Sequence, residues 1–331
     1  MLSSISSSSV TRATYLLLAG CAVVALGIET VARVGFDRLS KMQRRTVSEA
    51  GLARTIGSDA SGGRKHLLVV GNSLLDEDIR FDDVREALDS EWDARRFVVE
   101  QTYYLDWYYG LKRLFRAGAR PDVVVVMLST RQWIRNDIRG EYSAQYLMDP
   151  IDVPAVARDL EFNLTRATSF FVASFSKFWA VRAEMRNFVL GHLMPDLGRL
   201  MDFSSIADPR PLVDEEVEDI ARGRLVRLKA LTEAHGAQLI VVLPPVFDRN
   251  DGAAGFLRSA SAVGVSALRP VVSGTFAADL YRDAGFHLNP QGAAAFTARL
   301  IPALREQLDI VPASVGTSTD AASLATPSHV E

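Results

Sequence analysis

The most constraining stretch of the chain is Asp122-Val123-Val124-Val125-Val126-Met127-Leu128. An unbroken apolar run rich in β-branched residues has no wet face to offer. It belongs in a strand covered on both sides, the place of a central parallel strand in an α/β sheet. Leu67-Leu68-Val69-Val70 and Leu239-Ile240-Val241-Val242-Leu243 have the same character. Phe97-Val98-Val99 is a shorter strand, and a weak one is expected around Val265 to Val272. Between these runs the apolar spacing turns helical: Phe81 to Leu88, Asp106 to Ala117, Val213 to His235, Ala253 to Ala262, and Pro290 to about Leu308.

Strands alternating with helices predict a parallel sheet with helices on both faces. The expected fold class is therefore α/β, a flavodoxin-like three-layer sandwich of about five parallel strands over residues 65–310. From Gln132 to about Arg210 no strand is evident, and amphipathic stretches fill the region. We read residues 132–210 as a helical insertion, either a lid or a surface resting on a membrane or a partner. It carries Phe170, Phe171, Phe175, Phe178 and Trp179.

The N-terminus sets the second constraint. Ala13 to Ile28 is apolar, and with Thr30 to Phe36 it is long enough to span a bilayer, although Glu29 and Arg33 interrupt it. Residues 1–36 read as a signal anchor. A cleaved signal peptide and a lipoprotein signal ending at Leu18-Ala19-Gly20-Cys21 are the competing readings. Arg33, Arg38, Lys41, Arg44 and Arg45 follow the segment and only Arg12 precedes it, so the positive-inside rule by itself would keep the rest of the chain cytoplasmic. Residues 37–64 read as a charged linker or stalk, and residues 311–331, rich in Ser, Thr and Ala, as a disordered tail.

Polar groups gather where the strands end, which is where open α/β sheets build their sites. The first strand ends in Gly71-Asn72-Ser73, and the third in Ser129-Thr130-Arg131. A glycine there lets the backbone turn or approach a neighbour closely. Asp76-Glu77-Asp78 read as a solvated acidic turn, and Tyr103, Tyr104, Trp107, Tyr108 and Tyr109 as core packing rather than a sugar-binding cleft. Near the C-terminus stands Asp283-Ala284-Gly285-Phe286-His287-Leu288-Asn289-Pro290-Gln291-Gly292, in which Asn289 suits a helix cap and Pro290 the first helical position. In the expected architecture Ser73 and His287 can meet at one edge of the sheet. A serine, a histidine and a nearby aspartate, here Asp283, form the constellation for acyl transfer.

Gly71-Asn72-Ser73 and the segment from Asp283 through His287-Leu288-Asn289-Pro290-Gln291-Gly292-Ala293 together resemble the SGNH/GDSL hydrolase superfamily. The resemblance implies Ser73 as nucleophile, His287 as general base and Asp283 as the acid that orients it. It also points to Asn72, Ser129, Thr130 and Arg131 as the places for oxyanion or substrate contacts. Three departures stand out. Asn72 replaces the usual aspartate. Ser129-Thr130-Arg131-Gln132 replaces a Gly-x-Asn-Asp block. Asp283 lies four residues before His287, where the family's acid lies three before and this chain has Ala284. An SGNH-like domain behind a membrane anchor is also similar to bacterial proteins that add or remove acyl groups on cell-surface polysaccharides. That likeness implies an extracytoplasmic domain, an acylated carbohydrate or other ester as substrate, and polysaccharide-assembly proteins as partners.

Composition narrows the alternatives. A net charge of −3 argues against nucleic acid as the main partner. The single cysteine, Cys21, allows no intrachain disulfide. His66, His192, His235, His287 and His329 show no ligand spacing, so no metal or other cofactor is expected. No phosphate loop follows the first strand, which ranks a nucleotide binder low. The weighed alternative to an esterase or O-acyltransferase is a catalytically inactive SGNH-like glycan-binding or scaffold protein.

Overall fold

The computed structural model describes residues 7–58, 63–194, 211–282 and 285–309. Its centre is a five-stranded, all-parallel sheet in the order β2-β1-β3-β4-β5. The strands are β1 (Lys65–Gly71), β2 (Trp92–Val98), β3 (Val123–Met127), β4 (Gln238–Val242) and β5 (Ser266–Leu268). All five residues of β3 are buried, as its valine run demands. Burial of each such side chain contributes roughly 1.5–3 kcal/mol before entropy is counted. Alternation along the strands divides the core into two layers. Leu68, Val70, Val124 and Val126 face one, and Leu67, Val69, Val123 and Val125 face the other.

The first layer holds α2 (Lys41–Arg54), α5 (Tyr104–Arg116), α11 (Asp214–Glu233) and α12 (Ala253–Ala262). The second holds α3 (Ser73–Glu77), α4 (Phe81–Leu88) and α13 (Pro290–Asp309). A small antiparallel hairpin, β6 (Tyr281–Arg282) with β7 (His287–Leu288), joins the second layer ahead of α13.

The insertion contributes α6 (Thr130–Ile134), α7 (Glu141–Tyr146), α8 (Val153–Asp159), α9 (Leu164–Ala173) and α10 (Lys177–Leu193). Residues 195–210 lie outside the described residues. Tyr142, Leu147, Val156, Phe170 and Val181 share the core layer of α2 and α5, whereas Leu74, Leu75 and Leu288 around the serine belong to the other layer. The insertion therefore packs into the core layer opposite the one that holds α3 and the histidine hairpin. Buried Asp106 on α5 ties it down by accepting from the backbone N–H of Arg139 and the hydroxyl of Ser143. Tyr104, Trp107 and Tyr109 are fully buried, as core packing requires.

The stalk reading of residues 37–64 is corrected. Residues Lys41–Arg54 form a helix whose Ala50 and Ala53 are buried, with Ile56 beyond it. Glu49 of this helix accepts from the backbone N–H of Val98 at 2.8 Å and pairs with Arg96. A short charged segment hides this role in the sequence because its partners lie on β2, about fifty residues away.

At the N-terminus, α1 (Ser7–Thr30) continues through a π-helical turn, Val31–Phe36, to Leu39. Among the described residues this is the one helix long and apolar enough to cross a membrane: 29 residues from Thr11 to Leu39, mean hydropathy 2.0 over its most apolar stretch. The proposed tail, residues 311–331, lies outside the described residues.

Candidate active site

The site begins with how β1 ends. At Gly71 an added Cβ would sit 2.6 Å from the carbonyl oxygen of Met127 and 3.0 Å from Leu75 Cβ, so only glycine lets β1 and β3 run this close to α3. Asn72 is completely buried and caps α3. Its Oδ1 accepts from Leu74 N–H at 3.1 Å, and its Nδ2 donates to the Thr102 carbonyl at 2.9 Å. Asn72 thus takes up its side-chain amide in locking the turn that presents Ser73, which suits a small capping residue.

The histidine arrives from the far end of the chain. Asn289 caps α13 by accepting from Gln291 N–H and Gly292 N–H at 3.0 and 2.9 Å, and its own N–H donates to Leu280 O. The cap fixes β7 against β6. Completely buried Asp78 then accepts the Leu288 N–H at 2.8 Å, so the turn after α3 holds the histidine strand directly. With both ends fixed, His287 Nε2 lies 2.9 Å from Ser73 Oγ, across 214 residues of sequence. This is the reach a nucleophile and its base need.

Around the imidazole, Glu77 Oε2 lies 3.9 Å from Nδ1, and Glu77 is ion-paired with Arg282. The Phe286 ring meets the imidazole edge to face at 4.8 Å. Asp283, the sequence's choice of acid, lies outside the described residues, as does Ala284. Glu77 is a carboxylate that sequence reasoning passed over. The solvated-turn reading of Asp76, Glu77 and Asp78 is corrected on all three counts. Asp76 pairs with Arg45 and Arg96, Glu77 faces His287, and Asp78 is buried beneath the hairpin. One signal was available: three carboxylates within a turn of the candidate nucleophile.

The end of β3 stands beside that of β1, with Gly71 paired to Met127. Ser129 and Thr130 are buried there. Ser129 caps α6 in a reciprocal pair with Gln132: its hydroxyl accepts from Gln132 N–H at 3.4 Å and its own N–H donates to Gln132 Oε1 at 2.9 Å. Arg131 is half-buried on the same short helix. A groove lined by Asp76, Glu77, Arg80, Arg282, Leu288 and Pro290 runs along the Glu77 side of the site and carries both signs of charge.

No family model matches the chain, and no curated protein matches it. Among solved structures it is similar to a GDSL-like lipase from Bacteroides thetaiotaomicron, at 11% identity and TM-score 0.38, covering 81% of this chain and 98% of that one. The acetylxylan esterase Axe2 from Geobacillus stearothermophilus matches at 11% identity and TM-score 0.38, over 72% of this chain and 93% of that one. A protein from Slackia heliotrinireducens assigned as an SGNH hydrolase matches at 14% and 0.39, over 73% and 99%. Likenesses this distant decide nothing about chemistry, which is left to the side chains.

Proposed function

We propose that the chain is a serine-dependent ester hydrolase or O-acyltransferase of the SGNH type, acting on an acylated carbohydrate outside the cytoplasmic membrane. The observation that carries this reading is the 2.9 Å approach of His287 Nε2 to Ser73 Oγ. Ser73 Oγ attacks the ester carbonyl while His287 takes its proton. The protonated imidazole then gives that proton to the leaving alkoxide. Water, or an acceptor hydroxyl, repeats the sequence on the acyl-serine. Leu74 N–H is engaged by Asn72 Oδ1, so within this turn the N–H of Ser73 is the donor for the developing oxyanion. Glu77 supplies carboxylate to the imidazolium, and the family resemblance gives Asp283 the same role. The mixed-charge groove beside the site suits a hydroxyl-rich substrate more than a lipid chain.

The test is covalent labelling of the full chain by a fluorophosphonate, with turnover of acetylated xylo- and chito-oligosaccharides read alongside. Ser73→Ala should abolish both. Wild-type labelling no greater than that of Ser73→Ala would sink the nucleophile assignment. One observation favours the glycan-binding alternative: Ser129 and Gln132 satisfy each other where the family places an oxyanion amide. Saccharide binding that survives loss of Ser73 and His287, without turnover in the wild type, would select it.

A further inference from the structure

The two charges that interrupt the apolar N-terminal segment hold the insertion in place. Glu29 caps the 17-residue helix α10: its carboxylate accepts from the N–H of Lys177 at 2.8 Å, the N–H of Phe178 at 3.1 Å and the hydroxyl of Ser176 at 2.9 Å. Arg33 donates to Glu29 at 2.7 Å and to the carbonyl of Phe175 at 3.0 Å. Lys177, buried, pairs with Asp37. The elbow between α9 and α10 is therefore joined to the end of α1.

That elbow exposes an apolar cluster. Phe171, Val172, Phe175 and Trp179 are 48, 39, 57 and 37% exposed, and the rings of Phe171 and Phe175 touch at 5.1 Å between centroids. The Trp179 indole N–H is satisfied by Ser169 Oγ at 2.9 Å, and Arg182 lies over its ring at 4.4 Å. Crossing the hydrocarbon of a bilayer takes about twenty helical residues. Counted from Thr11, that length ends near Thr30. Glu29 and the elbow it holds then lie at the level of the headgroups, where aromatic and arginine side chains are at home.

We propose that the α9–α10 elbow seats Phe171, Val172, Phe175 and Trp179 in the headgroup region of the same bilayer that α1 crosses, so that the domain stands on two membrane contacts. This rests on the reading of α1 as a membrane span. The occupant is lipid because the patch is continuous with the apolar helix and held against its end by Glu29 and Arg33. A single span leaves a domain free to tilt. A second contact beside it, together with α2 bound to β2 through Glu49, sets the height and direction of the site above the membrane.

The tryptophans provide the test. Trp92, Trp107 and Trp133 are buried, and Trp179 is the fourth. The full chain is reconstituted in phosphatidylcholine/phosphatidylglycerol vesicles containing lipids with nitroxides near the headgroup or deep in the acyl chain. Shallow nitroxides should quench up to about one quarter of the emission, since Trp179 is one of four tryptophans. Deep ones should quench less. Trp179→Phe should remove the effect, and Phe175→Asp, which keeps the indole, should weaken it. If alkali fails to extract the protein and yet wild type and Trp179→Phe are quenched alike, the elbow proposal is wrong and the anchor stands. If alkali extracts the protein, the anchor reading fails and takes the proposal with it. Shielding of Trp179 from both iodide and lipid nitroxide would mean that protein covers the elbow, which also overturns the proposal.

Discussion

Asp78 offers the sharpest test of how the site is assembled. It is completely buried and accepts the Leu288 N–H at 2.8 Å, one residue from the histidine. Asp78→Ala removes a carboxyl acceptor and leaves a buried N–H without it. A hydrogen bond contributes about 0.5–3 kcal/mol, depending on the charge of its partners, and an orphaned donor costs about 1–3 kcal/mol. The same event lies behind both figures, so the expected loss of stability is about 2–3 kcal/mol, not their sum. At about 2–4 °C per kcal/mol for a domain of this size, Tm should fall by roughly 4–12 °C. The catalytic effect is separate. If β7 moves by about 1 Å, the Ser73–His287 contact is lost and kcat should fall about 100-fold. KM should change little, because Asp78 is completely buried and out of a substrate's reach. Asp78→Asn keeps an oxygen to accept the Leu288 N–H and should recover most of both losses. The assay is esterase turnover well below Tm, normalised to active-site titration, with calorimetry on the same samples. A destabilised Asp78→Ala protein with wild-type kcat would refute the claim that this contact positions the histidine.

Three further predictions follow from named contacts. Glu77 lies 3.9 Å from His287 Nδ1 and is shared with Arg282. A full charge at that distance is worth about 4 kcal/mol at an effective dielectric of 20, and solvent and the arginine reduce it to about 1–2 kcal/mol. Glu77→Gln should then lower kcat roughly 10-fold; an unchanged kcat would leave the imidazole to other groups, Asp283 first. Gly71→Ala brings a Cβ to 2.6 Å from Met127 O, and should cost about 1–3 kcal/mol in chemical denaturation and displace Ser73. Finally, burial pushes the Asp106 carboxyl up to about 7, against the pull of the Ser143 hydroxyl, the N–H groups of Tyr103 and Arg139, and the Arg139 charge. A raised folded-state pKa means the stabilisation is complete at low pH and fades as pH rises. The stability advantage of wild type over Asp106→Asn should therefore shrink between pH 4 and 7, by up to about 1.4 kcal/mol per pH unit. An advantage that grows with pH would show Asp106 ionised in the fold.

Some of this was written in the chain itself. The valine run of β3 and its counterparts in β1 and β4 admit only a doubly covered strand, so the parallel α/β sheet follows from local pattern. Ser73 at the end of β1, and His287 just ahead of an Asn-Pro helix start, are likewise local signals. What no window of sequence contains is the meeting of these two residues, because it depends on β1 lying inside the sheet and on the hairpin crossing to its edge. The same holds for Glu77 and Asp78, which look like a wet turn until a strand from 210 residues away closes over them. It holds again for α2, polar in composition yet seated on β2 through Glu49 and Arg96, and for Glu29, an apparent flaw in an apolar helix until the N-terminus of α10 is placed against it. Period and propensity act over a few residues and fix the elements. Carboxylates find their donors only when distant backbone arrives, so tertiary packing alone decided which acids are solvated and which hold the site together.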